Sequence, residues 1–290
     1  MESFGDKLFN SVSYTRSLLF AEGELANLTV LANNKAIETI KEEKNETISI
    51  DHPIGWRPDN TPMNSTNKYT KEELINRYRF MSETKLPLDG IYRLVTITET
   101  LLNYIFKNVL FEFPGKIPSK RKIDASIALG ADSIESIKLG IVDSILNEID
   151  YKSPKEYAEE FNKYVGINLL ENPIYHQYIE LKATRDIHIH NGGNANEIYL
   201  SKAGPLARVK AGIYLPVTVQ YFLQSYESCL QLTEILEIEL NKIWPSVKYN
   251  EHKANLNNKG KDKVIEEKVE QIIEESQKKI AEPESSDKNK

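Results

Sequence analysis

Cysteine is almost missing from this chain: Cys229 is the single one among 290 residues. It leaves no internal disulfide to form and no Cys-x-x-Cys pair to hold a metal or run redox chemistry. Long apolar runs are missing too. The most apolar stretch, GIYLPVTVQYFL from Gly212 to Leu223, is shorter than the roughly 18 to 20 residues of a spanning helix and carries Pro216 and Gln220. No membrane span is expected. Nor is there an excess of positive charge, since 37 Lys and Arg face 43 Asp and Glu for a net charge of -6. Indiscriminate coating of nucleic acid, which needs many neutralised phosphates, is thereby disfavoured, though a small basic site is not. Glycine-rich phosphate loops, internal repeats and Ser/His/Asp nucleophile motifs are also lacking. The opening residues, MESFGDKLFN, have neither the basic start nor the apolar run of a secretory signal. A cytoplasmic protein is expected, in which the Asn-x-Ser/Thr matches at Asn27, Asn45 and Asn64 are chance.

What is present is helical patterning, with 40% hydrophobic residues to fill a core. Leu18, Leu19, Leu25, Leu28 and Leu31 recur at intervals near three and four, predicting a helix over residues 13 to 43. Residues 51 to 70 hold Pro53, Gly55, Pro58 and Pro62 among polar residues and read as a long loop. Trp56 and Arg57 within it either meet a partner or anchor the loop to the core. A capping box from Thr70 to Glu73 starts a short helix. Pro87, Asp89 and Gly90 introduce a long one, striped by Leu94, Ile97, Leu101, Leu102, Ile105 and Val109. A Pro/Gly connection then carries Lys116, Lys120, Arg121 and Lys122, a solvated cationic cluster and the best candidate for contacting RNA phosphates. Amphipathic helices follow over residues 132 to 149, from Ser153-Pro154, from Asn172-Pro173 to Gly192-Gly193, and from Pro216 to Trp244. The expected fold class is all-α, with an N-terminal helical region (1–85), a helical domain (88–245) and a charged tail (246–290), either disordered or a lone helix.

The chemistry concentrates in LKATRDIHIHNGG, Leu181 to Gly193. Arg185 offers a permanently charged fork of donors suited to phosphate, and histidine exchanges protons near neutral pH. Together they suit RNA cleavage, in which the 2'-hydroxyl loses a proton, attacks the adjacent phosphate and builds up negative charge. Neither metal nor cofactor is required for that. The spacing sets a condition: Arg185 and His190 lie about 140° apart around a helix at its 100° step. They converge best at a frayed helix end or when two chains meet across a two-fold axis. His188, nearer the face of Arg185, is either a core-edge or supporting residue or a rival to His190 as general base, and Glu99 either orients Arg185 or faces solvent. A pair of cations at a helix end can equally serve the helix dipole alone.

RDIHIHNGG resembles the Arg-polar-x-x-apolar-His-Asn signature of the HEPN superfamily, with Arg185, Asp186, Ile189, His190 and Asn191 on successive motif positions. The continuation through Asn196, Glu197, Tyr199 and Leu200 is similar to the RiboL-PSP type of HEPN domain, as is RLVTITETLLNYIF with its Thr96-x-x-Glu99 element. The likeness covers residues 90 to 245. It implies an antiparallel helical bundle that forms a homodimer, with Arg185, His190, Asp186 and Asn191 from both subunits building a metal-independent endoribonuclease site without cofactors. It also implies a toxin-antitoxin or antiviral defence setting with an antitoxin or defence partner. Some members of the superfamily do not cut RNA, so a non-catalytic nucleotide-sensing or protein-interaction module is the alternative.

Overall fold

The computed structural model describes residues 2–122 and 124–256. Among them the chain is mostly helical: α1 (Phe4–Glu42), α2 (Lys71–Phe80), α3 (Leu86–Glu112), α4 (Ala125–Leu129), α5 (Ile134–Asp150), α6 (Pro154–Val165), α7 (Pro173–His190), α8 (Glu197–Ala203) and α9 (Val219–Ile243). None of these helices is long and apolar enough to cross a membrane. The described residues divide into two compact units, one spanning Asn10–Glu239 and one joining residues 2 to 9 to residues 240 to 256.

The expected loop over residues 51 to 70 is instead an antiparallel hairpin of β1 (Thr47–Trp56) and β2 (Pro62–Thr70). Proline concealed it. A sheet of two strands has only edges, where a residue without an N–H is tolerated, and Pro53 sits at the register shift before Gly55 while Pro62 opens β2. Asn60 takes the left-handed turn position (φ 60°), and the Asp59 carboxylate accepts from the Thr61 amide and hydroxyl. Ile48 and Ile50 on alternate residues cover Ile40, Tyr69 and Leu74, so the hairpin base is packed. Its far end is not, and Trp56, 73% exposed, anchors nothing. Past the Thr70 capping box, α2 runs through a π-turn, Met81–Lys85, straight into α3. Pro87, expected to introduce a separate helix, instead lies inside this continuous helical run, directly after the i to i−5 bond from the Leu86 amide to the Met81 carbonyl, a widened turn of the kind that accommodates a residue without an N–H. Gly90 is buried against the Phe222 ring, which a Cβ would meet at 2.4 Å.

In the larger unit α3 is central and packs against α5, α6 and α7. Its expected stripe is buried at Leu94, Leu101, Leu102, Ile105 and Val109, while Ile97 is only half-buried and Val95, outside the expected stripe, is buried as well. Phe106 meets the rings of Tyr157, Phe161 and Tyr164 from α6, whose N-terminus is fixed by the Ser153–Glu156 capping box. Beyond Leu240, in the smaller unit, residues 247 to 256 are helical, with the Asp6 carboxylate accepting from the Ser246 hydroxyl at 2.6 Å. The remainder of the expected charged tail, residues 257 to 290, lies outside the described residues.

Candidate functional site

The motif helix α7 begins as its sequence dictates: the Asn172 side chain accepts from the Ile174 amide and Pro173 fills the first helical position. It ends equally clearly. The amides of Asn191 and Gly193 both turn back to the Ile187 carbonyl, and Gly192 (φ 58°) and Gly193 (φ 81°) are left-handed. At Gly193 glycine is required twice over, because a Cβ would also strike the Tyr214 ring at 2.5 Å. The Gly193 carbonyl accepts from the Leu215 amide, which folds the connection after α8 back beside the end of α7.

Arg185 projects towards α3. Its Nη2 donates to Glu99 Oε2 at 2.9 Å, and Glu99 Oε1 lies against the Lys182 ammonium. Of the two readings for Glu99, the contact with Arg185 is the one present. Arg185 Nε is 3.3 Å from Asp186 Oδ1 but is not aligned for a hydrogen bond and has no other acceptor, while Asp186 Oδ2 takes Lys202 of α8. The result is an alternating chain of charges, Lys182, Glu99, Arg185, Asp186, Lys202, each side chain between 20% and 30% exposed. Partial exposure keeps the guanidinium reachable while two carboxylates hold its orientation.

His190 stands apart from this chain of charges. It is exposed at the last turn of α7, and no contact between it and Arg185 occurs among the described residues. A single chain therefore groups Arg185, Asp186 and Glu99, leaving His190 on another side of the helix. Asn191 is the C-cap, its side-chain amide donating to the Asn194 carbonyl. His188 is half-buried: its Nε2 donates to the Leu215 carbonyl at 2.8 Å and its ring meets Tyr214 edge-on. Because a carbonyl only accepts, Nε2 carries the hydrogen. Burial lowers the His188 pKa and Arg208 adds to this, against the carbonyl bond, so the ring is neutral and acts as a brace. In the cationic connection, Arg121 is turned onto Glu148 of α5, while Lys116, Lys120 and Lys122 are exposed.

One feature of α7 escaped the sequence. Glu180, 5% exposed, accepts at Oε1 from the Thr184 hydroxyl, the Tyr199 hydroxyl and Arg208 Nε, and at Oε2 from the Tyr221 hydroxyl at 2.7 Å. Arg208 further donates to the Pro216 carbonyl and to Thr184, and lies 3.5 Å over the Tyr221 ring. Burial pushes the Tyr199 and Tyr221 hydroxyls above their usual range, with the Glu180 charge adding to it, so they remain donors. Glu180 and Thr184 are spaced as same-face neighbours on a helix, which was the available signal. Arg208 and Tyr221 come from other segments, and nothing local pairs them with Glu180.

Compared with family models, with curated proteins and with solved structures, the chain matches none.

Proposed function

We propose that the chain is a metal-independent endoribonuclease that acts as a dimer, in a toxin-antitoxin or antiphage defence setting. The observation that carries this reading is the pairing, on one helix, of a partly exposed guanidinium oriented by Glu99 with an exposed imidazole at the glycine-terminated end. In the reaction His190 accepts the 2'-hydroxyl proton, O2' attacks phosphorus and the bond from phosphorus to O5' breaks. The His190 of a second copy, entering protonated, returns a proton to O5'. Arg185 stabilises the charge on the phosphoryl oxygens, Asp186 and Asn191 hold the motif's geometry, and the exposed lysines near residue 120 steer RNA. The products carry a 2',3'-cyclic phosphate and a 5'-hydroxyl.

The test is cleavage of a defined RNA by purified protein in EDTA, comparing His190→Ala and Arg185→Ala. Each substitution should slow cleavage by about 10²-fold or more, the usual contribution of a proton-transfer group or of charge stabilisation. Unchanged cleavage in both variants would remove the assignment. One observation favours a second reading. Arg185 already has Glu99 and Asp186 as counter-ions, as in a non-catalytic module that grips a nucleotide or protein partner without turnover. RNA retention without product, weakened by Arg185→Ala, would select it.

A further inference from the structure

Beside the Glu180 network, on another face of α7 from Arg185, a cavity of about 450 Å³ opens between α7, α9 and the segment around Arg208. Its size falls within the roughly 300 to 1,000 Å³ of small-molecule sites. We propose that it binds an uncharged nucleoside through its base, at a site distinct from the cleavage motif.

The lining determines the class of ligand. The carboxamides of Gln177, Gln224 and Gln231 border the cavity together with the Ser225 hydroxyl. Gln177 accepts at its carbonyl oxygen from the Ser228 hydroxyl, whose single hydrogen it shares with the Gln224 carbonyl, which leaves its amide hydrogens to donate. Gln231 donates to Glu227, which leaves its carbonyl oxygen to accept. Gln224 and Ser225 make no side-chain hydrogen bond among the described residues, although Ser225 is only 5% exposed. Hydroxyls at buried helix positions usually bond the preceding turn, as Ser228 does with the Gln224 carbonyl. The cavity therefore presents donors and acceptors in balance, the match for a base edge, which carboxamides read by paired hydrogen bonds.

Charge points the same way. The cationic side chain in the lining, Arg208, already donates from every guanidinium nitrogen to Glu180, Pro216 or Thr184. It is nevertheless 25% exposed, and its guanidinium lies 3.5 Å from the centre of the Tyr221 ring, which borders the cavity too. A base can stack against such a pair of planar groups. Glu180 and Glu227 border the same space, so a phosphate would meet carboxylates without a free cation.

Isothermal titration of the full chain with adenosine, guanosine, cytidine and uridine, with the 5'-monophosphates and glucose as controls, tests this. At least one nucleoside should bind saturably, and its monophosphate and glucose should bind at least about tenfold more weakly. Gln177 and Gln224 are exposed, so Gln177→Leu and Gln224→Leu leave the fold intact, and each should weaken binding about tenfold, the loss of one good hydrogen bond. Arg185→Ala and His190→Ala should leave nucleoside binding unchanged, which separates this site from the cleavage reading. Absence of binding by all four nucleosides, equal binding of glucose, tighter binding of the monophosphate, or affinity unaltered by both glutamine substitutions would each overturn the proposal.

Discussion

Replacing Arg208 by methionine keeps the length of the side chain and removes its charge, leaving the buried Glu180 carboxylate without a cation. Removing one partner of a buried ion pair typically costs about 3–5 kcal/mol when nothing else compensates. Here the hydroxyls of Thr184, Tyr199 and Tyr221 would still donate to Glu180. Hydrogen bonds to a charged group contribute about 1.5–3 kcal/mol each, so the expected loss falls at or just below the lower limit of the range for a broken ion pair, about 2–3 kcal/mol. At about 2 °C per kcal/mol for a chain of this size, the melting temperature should fall by roughly 4–6 °C. Urea denaturation of wild type, Arg208→Met, Glu180→Gln and the double variant gives the coupling directly. The double variant should lose less than the sum of the singles, because a neutral carboxamide in place of the Glu180 carboxylate leaves no unpaired charge. A loss below about 1 kcal/mol, or strict additivity, would refute the idea that Arg208 is held as the counter-ion of Glu180.

Cys229 is fully buried and its thiol is pushed up to about 12 by burial, against a weak opposing bond from Thr98. It should not react with a thiol reagent at pH 8 in native buffer and should react fully in denaturant; rapid native labelling would contradict its place in the core. For His188, whose pKa is lowered on folding, the unfolded chain binds the extra proton, so its contribution is present above about pH 6.5 and is lost as pH falls through the folded value. The urea midpoint of wild type should therefore drop more between pH 7 and pH 5 than that of His188→Gln, and parallel curves would show that burial does not hold this ring neutral.

Helix starts were the most legible part of the chain. Thr70 with Glu73, Ser153 with Glu156, and Asn172 with Pro173 each satisfy or remove orphan amides within a few residues, so local sequence suffices to place them. The Gly192-Gly193 stop is of the same kind, because only a residue without a Cβ takes those dihedral angles cheaply. The hairpin was hidden because its prolines break the pattern of a central strand, and whether a strand is an edge is a fact about neighbours rather than sequence.

The sequence alone determined where α2, α6 and α7 begin and where α7 ends, which residue types gather on α7, and that Arg185 and His190 leave it in different directions, because these follow from helical geometry over a few residues. Tertiary structure alone decided that Glu99 holds Arg185, that the Leu215 carbonyl fixes His188, and that Glu180, Arg208 and Tyr221 converge beside a cavity. A buried charge must find its counter-ion and its donors wherever the packed chain brings them, and here they arrive from α3, from the segment before α9 and from α9 itself.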